Sequence, residues 1–238
     1  MKDISLIAFD ADDTLWECQT YFEAVEKEYC ELLKSYASAD EISKALFAVE
    51  TANMPLLGYG SKAFLLSLLE NAIEVSGGRL KADEVEKIIK LGKELLQLPG
   101  KPMDGVEETL KVLRETGKYH LVVFTKGELL DQENKFHRSG LKPYFDDIIV
   151  VSDKTEASYY QLCERFSINV EQLLMVGNSF RSDIEPVLKL GGWAAHIPFH
   201  TTWQHEVVEE YEHPHLLKLE YFTPVSYTHL TLPTKRIV

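Results

Sequence analysis

The chain has little cysteine, little basic charge and no long apolar run, and each shortage excludes something. Only three cysteines occur, Cys18, Cys30 and Cys163, an odd and sparse set without metal-ligand spacing. That rules against a disulfide framework and suits packing roles in a reducing compartment. Lysine and arginine total 25 against 38 aspartates and glutamates, so the net charge is −13. Such a surface disfavours nucleic acid and anionic membranes as main partners. It does not exclude an anionic substrate, because a metal and a few lysines reverse the field locally. No apolar stretch approaches the roughly 20 residues that span a bilayer. The N-terminus, MKDISLIAFD, lacks a signal-peptide layout. The expectation is a cytoplasmic protein with no membrane and no nucleic-acid partner.

What is present is ordinary for a folded protein: 238 residues, 45% hydrophobic and 26% charged. The informative stretch is Ile4 to Trp16, ISLIAFDADDTLW. Its apolar run, Ile4 to Phe9, reads as a buried strand. The run ends in three carboxylates, Asp10, Asp12 and Asp13, followed by Thr14. Carboxylates crowded at a strand end repel one another and call for a cation or another use. In open α/β sheets the chemistry lies beyond the carboxyl ends of the strands.

From Trp16 to Leu98 the pattern is helical throughout, without internal sequence repeats. Phe22 to Tyr36, Ile42 to Val49, Phe64 to Ile73 and Val85 to Leu96 form four runs. Breaks are expected at Ser38-Ala39-Asp40, at Asn53-Met54-Pro55 with Gly58 and Gly60, and at Gly77-Gly78. The stretch from Asn53 to Lys62, with Tyr59 and Lys62, is a candidate substrate-facing loop; a plain inter-helix turn explains it equally well. Beyond Pro99-Gly100-Lys101-Pro102, helices and strands alternate. Helices are expected at Asp104–Thr116, Leu129–Ser139, Glu156–Phe166 and Asp183–Leu190. Strands are expected at Tyr119–Phe124, Ile148–Val151, Leu173–Val176 and Trp193–Ile197. This alternation implies right-handed crossovers and a parallel sheet. The fold class is therefore α/β, a doubly wound parallel sheet core (1–15 and 99–224) with an inserted α-helical cap domain (16–98). Residues 225–238, VSYTHLTLPTKRIV, complete no element, and VSYTHL resembles one reading frame of a transposase sequencing adapter. They are expected to be a non-native tail, with the native C-terminus missing.

Polar groups come after four expected strands: Asp10 and Asp12, Thr125 with Lys126, Lys154, and Asn178 with Asp183. Parallel strands bring these ends to one edge, where each suits a phosphoryl group. An aspartate can attack phosphorus and become an aspartyl phosphate. A second carboxylate can protonate the leaving oxygen and later deprotonate water. The Thr125 hydroxyl and a backbone amide at Thr125-Lys126 suit the non-bridging oxygens, and Lys154 adds positive charge. Mg²⁺ takes a near-octahedral set of oxygens, including several waters. Asp10, the Asp12 carbonyl, Asn178 and Asp183 are candidate protein ligands. The histidines His196, His200 and His205 have no spacing of a known zinc site.

These residues also resemble the haloacid dehalogenase-like hydrolases. FDADDTL is similar to that family's first motif, VVFTKG to its second, Lys154 to its third and GNSFRSDI to its fourth, in order over Ile4 to Ile197. The resemblance implies a Rossmann-like core, a magnesium-dependent aspartyl-phosphate mechanism and a mobile cap. It implies Asp10 as nucleophile, Asp12 as acid/base, Thr125 and Lys154 as phosphate binders and Asp183 in the metal region. Asn178 departs from the pattern, since many members carry aspartate there. Its amide offers an oxygen with less charge, so weaker magnesium binding is expected.

The leading expectation is a phosphatase for a small phosphorylated metabolite, as a monomer or homodimer. A phosphosugar mutase keeps Asp12 and differs in whether phosphate is released or relocated. A 2-haloacid dehalogenase shares the nucleophile, but its leaving halide needs no proton, so Asp12 argues against it. A non-catalytic regulatory or binding module is the alternative from another class, and Asn178 leaves room for it. A phospho-receiver domain fits the helical insert and Asp12 poorly.

Overall fold

The computed structural model describes residues 3–222. The segment expected to be a non-native tail, 225–238, lies outside the described residues. The chain divides into two compact units. One draws on the chain up to Glu17, on Gly100–Lys126 and on the chain from Phe136 onward; the other comprises Cys18–Pro99 and Gly127–Lys135.

The first unit is built on a six-stranded sheet. Its first strand, β1 (Leu6–Phe9), is buried along its whole length. The chain then supplies four consecutive helices of the second unit, α1 (Gln19–Leu33), α2 (Ala39–Leu57), α3 (Ser61–Val75) and α4 (Ala82–Leu95). The alternation continues as α5 (Val106–Glu115), β2 (His120–Lys126), α6 (Leu129–Ser139), β3 (Asp147–Val151), α7 (Glu156–Arg165) and β4 (Leu173–Gly177). It ends with α8 (Glu185–Lys189), β5 (Trp193–His196) and β6 (Leu216–Lys218).

All neighbouring strands are parallel, in the order β3-β2-β1-β4-β5-β6. A parallel sheet covered on both faces needs strands apolar on both sides. Leu6 and Ala8 of β1 face one core with Val122, Phe124, Met175 and Tyr159; Ile7 and Phe9 face the other with Val123, Leu110 and Val176. From β1 the chain builds outward through β2 and β3, then crosses to β4, β5 and β6 on the other side. The reversal falls beside β1, and crevices at such a switch point are where open α/β sheets bind ligands.

The helical unit has its own core. Tyr29 and Leu33 of α1 meet Ile42 and Leu46 of α2, Phe64 and Leu68 of α3, and Ile88 and Leu95 of α4. Ser38 starts α2 with a capping box: its main-chain N–H donates to the Glu41 carboxylate at 2.9 Å, and the Glu41 N–H donates to its hydroxyl at 3.4 Å. Inside this unit, Lys62 pairs with Glu128 at 3.2 Å.

Three details differ from the sequence expectation. The break placed at Asn53-Met54-Pro55 does not occur there, because α2 runs through Pro55 to Leu57 and stops at Gly58, whose φ is 70°. Proline removes one helical N–H, but it sits in the last turn, and the residue whose carbonyl it deprives, Thr51, is exposed to water. The candidate loop from Asn53 to Lys62 therefore shrinks to Gly58–Gly60. The helix expected from Asp183 is preceded by a π-helical turn, Phe180–Ile184, and α8 begins only at Glu185. The edge strand β6 carried no readable pattern, being three residues long and only half-buried.

Candidate active site

Asp10 stands at the carboxyl end of β1, and its own N–H still donates to the Val176 carbonyl of β4 at 2.8 Å. The ladder thus aims the first residue past the strand into the switch point. After it the backbone tightens: the Leu15 N–H donates to the Ala11 carbonyl at 2.8 Å and the Asp13 N–H to the Trp16 carbonyl at 2.7 Å. Asp13 takes a φ of 61°, a left-handed conformation aspartate tolerates better than most residues. This turn brings Thr14 back onto Asp10, its hydroxyl 3.0 Å from Asp10 Oδ2.

Three charged groups meet here. Lys154 Nζ donates to Asp10 Oδ1 and, at 2.7 Å, to Asp183 Oδ1. Its side chain and that of Asp183 are each 1% exposed, so the ion pairs are shielded from water. Burial alone would lower the Lys154 ammonium, but Asp10 and Asp183 outweigh it and hold it above its ordinary value. The Asp10 carboxyl is pushed up to about 7, chiefly by burial; Lys154 opposes the rise, and Asp183 and Asp12 add to it. One ammonium thus faces two carboxylates, Asp10 and Asp183, and the nearby Asp12 adds further negative charge against Asp10.

The fourth strand end is arranged around Asp183. Its Oδ2 accepts the Ser179 N–H at 3.0 Å. A Cβ added at Gly177 would collide with this carboxylate, so glycine is the residue that leaves room for it. Asn178 couples back to the first strand end: its N–H donates to Thr14 Oγ1 at 3.1 Å, and its Oδ1 lies 3.0 Å from the same oxygen. A threonine hydroxyl has one proton for two acceptors here, Asp10 Oδ2 and Asn178 Oδ1. An amide can resolve this by turning its NH₂ toward Thr14; a carboxylate at 178 would compete for the proton. The Asn178 carbonyl meets His196 Nε2 at 2.9 Å, so this histidine supports the site backbone.

Asp12 is half-buried, and its Oδ1 accepts the indole N–H of the fully buried Trp16 at 2.8 Å. Thr125, at the end of β2, is 1% exposed. Lys126 directs its ammonium to Glu206 and, at 3.0 Å, to Ser182 Oγ. The structure therefore brings Asp10, Lys154 and Asp183 into direct contact and joins Asn178 to them through Thr14. It sends the Lys126 side chain to a neighbouring cluster. Thr14, Trp16, His196 and Glu206 are the members that strand-end reasoning passed over. Thr14 was the legible one, four residues after Asp10 inside the same turn.

The oxygen donors fit a hard cation in kind: two carboxylates, Asp10 and Asp183, and the Asn178 amide, with surplus negative charge around them. Among the described residues, no group of three or more His, Cys, Asp or Glu is arranged to hold a metal ion. A cation at this site would rest on mixed donors and water.

A family model described as haloacid dehalogenase-like hydrolase matches residues 4–191. The chain is similar to a haloacid dehalogenase-like family hydrolase from Xanthomonas campestris, at 34% identity over 96% of this chain and 91% of that one, with a TM-score of 0.85. It is 27% identical over 185 residues to haloacetate dehalogenase H-2 of Moraxella sp. (strain B), spanning 75% of this chain and 79% of that protein. A predicted phosphoglycolate phosphatase from Haemophilus somnus 129pt shares the fold, at 19% identity and a TM-score of 0.62, over 98% of this chain and all of that one.

Proposed function

The chain belongs to the haloacid dehalogenase-like hydrolases, and we propose that it is a magnesium-dependent phosphatase acting on a small phosphorylated metabolite. The observation that carries this reading is Asp12, a second carboxylate two residues from the nucleophile and held in place by the Trp16 indole. Phosphate esters leave as alkoxides that need a proton, and halides do not.

Asp10 attacks phosphorus, and the bond from phosphorus to the ester oxygen breaks. Asp12, as the acid, gives its proton to the departing oxygen. Water then attacks the aspartyl phosphate while Asp12 takes up its proton, releasing phosphate and restoring Asp10. Thr125 and the Lys126 main-chain amide bind the non-bridging oxygens, and Lys154 keeps the nucleophile oriented and its charge balanced. Asp10, Asp183, the Asn178 amide oxygen and the Asp12 carbonyl would hold Mg²⁺, which when bound supplies positive charge against the phosphoryl oxygens. We assign the helical unit the part of a cap that selects the substrate and keeps bulk water out. Three free, buried cysteines suit a cytoplasmic setting.

The 27% identity to a haloacetate dehalogenase supports a second reading. In it, Asp10 displaces halide from the carbon next to a carboxylate, and water hydrolyses the resulting ester. A panel of phosphate esters with Mg²⁺, run beside fluoro-, chloro- and bromoacetate, separates the two. We expect phosphate release that falls by at least about 10⁴-fold in Asp10→Asn. Halide release without phosphate release would establish the second reading. No turnover on either panel would remove the enzymatic one.

A further inference from the structure

Beside the nucleophile lies a second buried cluster, organised around Glu206. This glutamate sits in a single turn of 3₁₀ helix, Gln204–Glu206, far along the chain from the strand-end motifs, and is 9% exposed. Its Oε1 takes the Lys126 ammonium at the end of β2. Its Oε2 accepts two hydroxyls, from Ser179 and, at 2.6 Å, from Ser182. Lys126 Nζ also donates to Ser182 Oγ at 3.0 Å, which closes the cluster. Burial alone would raise the Glu206 carboxyl; Lys126 and the two serines outweigh it and keep it ionised.

The segments held this way are the ones the chemistry needs. Ser179 caps the π-helical turn that carries Asp183, and Ser182 lies within it. The Ser182 N–H donates to Ser179 Oγ at 3.0 Å, and the Ser179 N–H donates to Asp183 Oδ2 at 3.0 Å. Arg181 adds a bond from the same turn to the His205 carbonyl. On the opposite side of the turn, the Tyr159 hydroxyl donates to the Ser182 carbonyl at 2.9 Å. Lys126 contributes the main-chain amide assigned above to the phosphoryl oxygens. Glu206 therefore ties the end of β2 to the turn that sets Asp183, and through Asp183 and Lys154 to Asp10.

We propose that Glu206 is a positioning residue for the reaction. With the Lys126 ammonium it forms a clamp that fixes the Lys126 amide and the Ser179–Asp183 turn at one spacing. The Lys126 side chain is a tether in this arrangement, and only its main chain serves the substrate. The proposal rests on the phosphoryl-binding reading of Thr125 and Lys126. A misplacement of about 1 Å in such groups lowers turnover by about 100-fold.

The test uses the full chain with p-nitrophenyl phosphate and Mg²⁺, in wild type and in Glu206→Ala, Glu206→Gln, Lys126→Met and Lys126→Arg. Glu206→Ala and Lys126→Met are expected to lower kcat by about 100-fold and raise KM by about 10-fold. A loss of folded protein would lower the apparent kcat alone. Glu206→Gln should fall between these and wild type, because its amide keeps the serine bonds and loses the tether. Lys126→Arg should recover most of what Lys126→Met loses. Glu209→Gln, exposed on the same segment, should leave turnover unchanged. Unaltered KM in both Glu206→Ala and Lys126→Met would overturn the clamp. If wild type releases no phosphate, the phosphatase reading fails by itself, and amide hydrogen exchange decides the clamp. Exchange at Lys126 and Ser179–Asp183 should speed up by about tenfold or more in Glu206→Gln, and unchanged exchange there would refute it.

Discussion

The two units differ in what they set against a buried carboxylate. In the α/β unit, Asp10 and Asp183 are buried against the Lys154 ammonium, which opposes the rise that burial imposes on the Asp10 carboxyl. In the helical unit, Glu50 of α2 is mostly buried beside Glu26 of α1. Among the described residues no lysine or arginine pairs with it. Burial first, and Glu26 second, push its carboxyl up to about 7. Burial raises both the Asp10 and the Glu50 carboxyl to about 7, and only Asp10 has a cation that opposes the rise. The difference is the cation: Lys154 bridges two buried carboxylates at the sheet edge, and α2 has no such bridge at Glu50 among the described residues.

The comparison breaks most sharply at Lys154. Lys154→Met leaves two buried carboxylates without their cation and should cost about 3–5 kcal/mol of folding stability. Urea denaturation at pH 7.5 measures the loss. A cost below about 1 kcal/mol would mean that the paired charges are not held as described.

Glu50→Gln probes the other side. Between about pH 4.5 and 7, folded Glu50 holds a proton that the unfolded chain has released. Its contribution to stability is complete below about pH 4.5 and is lost as the pH rises through 7. Glu50→Gln should therefore be the more stable protein at pH 8, by about 1–2 kcal/mol, and indistinguishable from wild type at about pH 4.5. Thermal melts across that range read the effect, and equal melting temperatures at the alkaline end would show Glu50 to be better solvated than its burial implies.

The smallest effect belongs to a capping group in the same unit. Ser38→Ala removes the acceptor for the Glu41 N–H and should cost about 1 kcal/mol, with no change in KM. A shift in KM would show that the start of α2 does more than hold a helix.

The strand-end motifs were legible because a parallel sheet converts sequence order into spatial order. Short apolar runs mark β1, β2 and β4, and the residues immediately after each run must lie at the same edge. That is why Asp10, Thr125, Lys154, Asn178 and Asp183 could be grouped without coordinates. Pro55 misled because proline signals a break by its local chemistry, and an exposed last turn tolerates it. Glu206 stayed hidden for the opposite reason. Its segment has neither strand nor helix periodicity, and its partners are 24 to 80 residues away in sequence.

Local periodicity and the order of the motifs determined the α/β class, the helical insertion after β1 and the identity of the strand-end residues. Those features depend on which residues alternate, and alternation is written along the chain. The tertiary structure alone decided that one lysine bridges Asp10 and Asp183, that Thr14 joins Asp10 to Asn178, and that Glu206 binds β2 to the Asp183 turn. These are contacts between segments far apart in sequence, formed because burial leaves each charged or polar group no partner but another one.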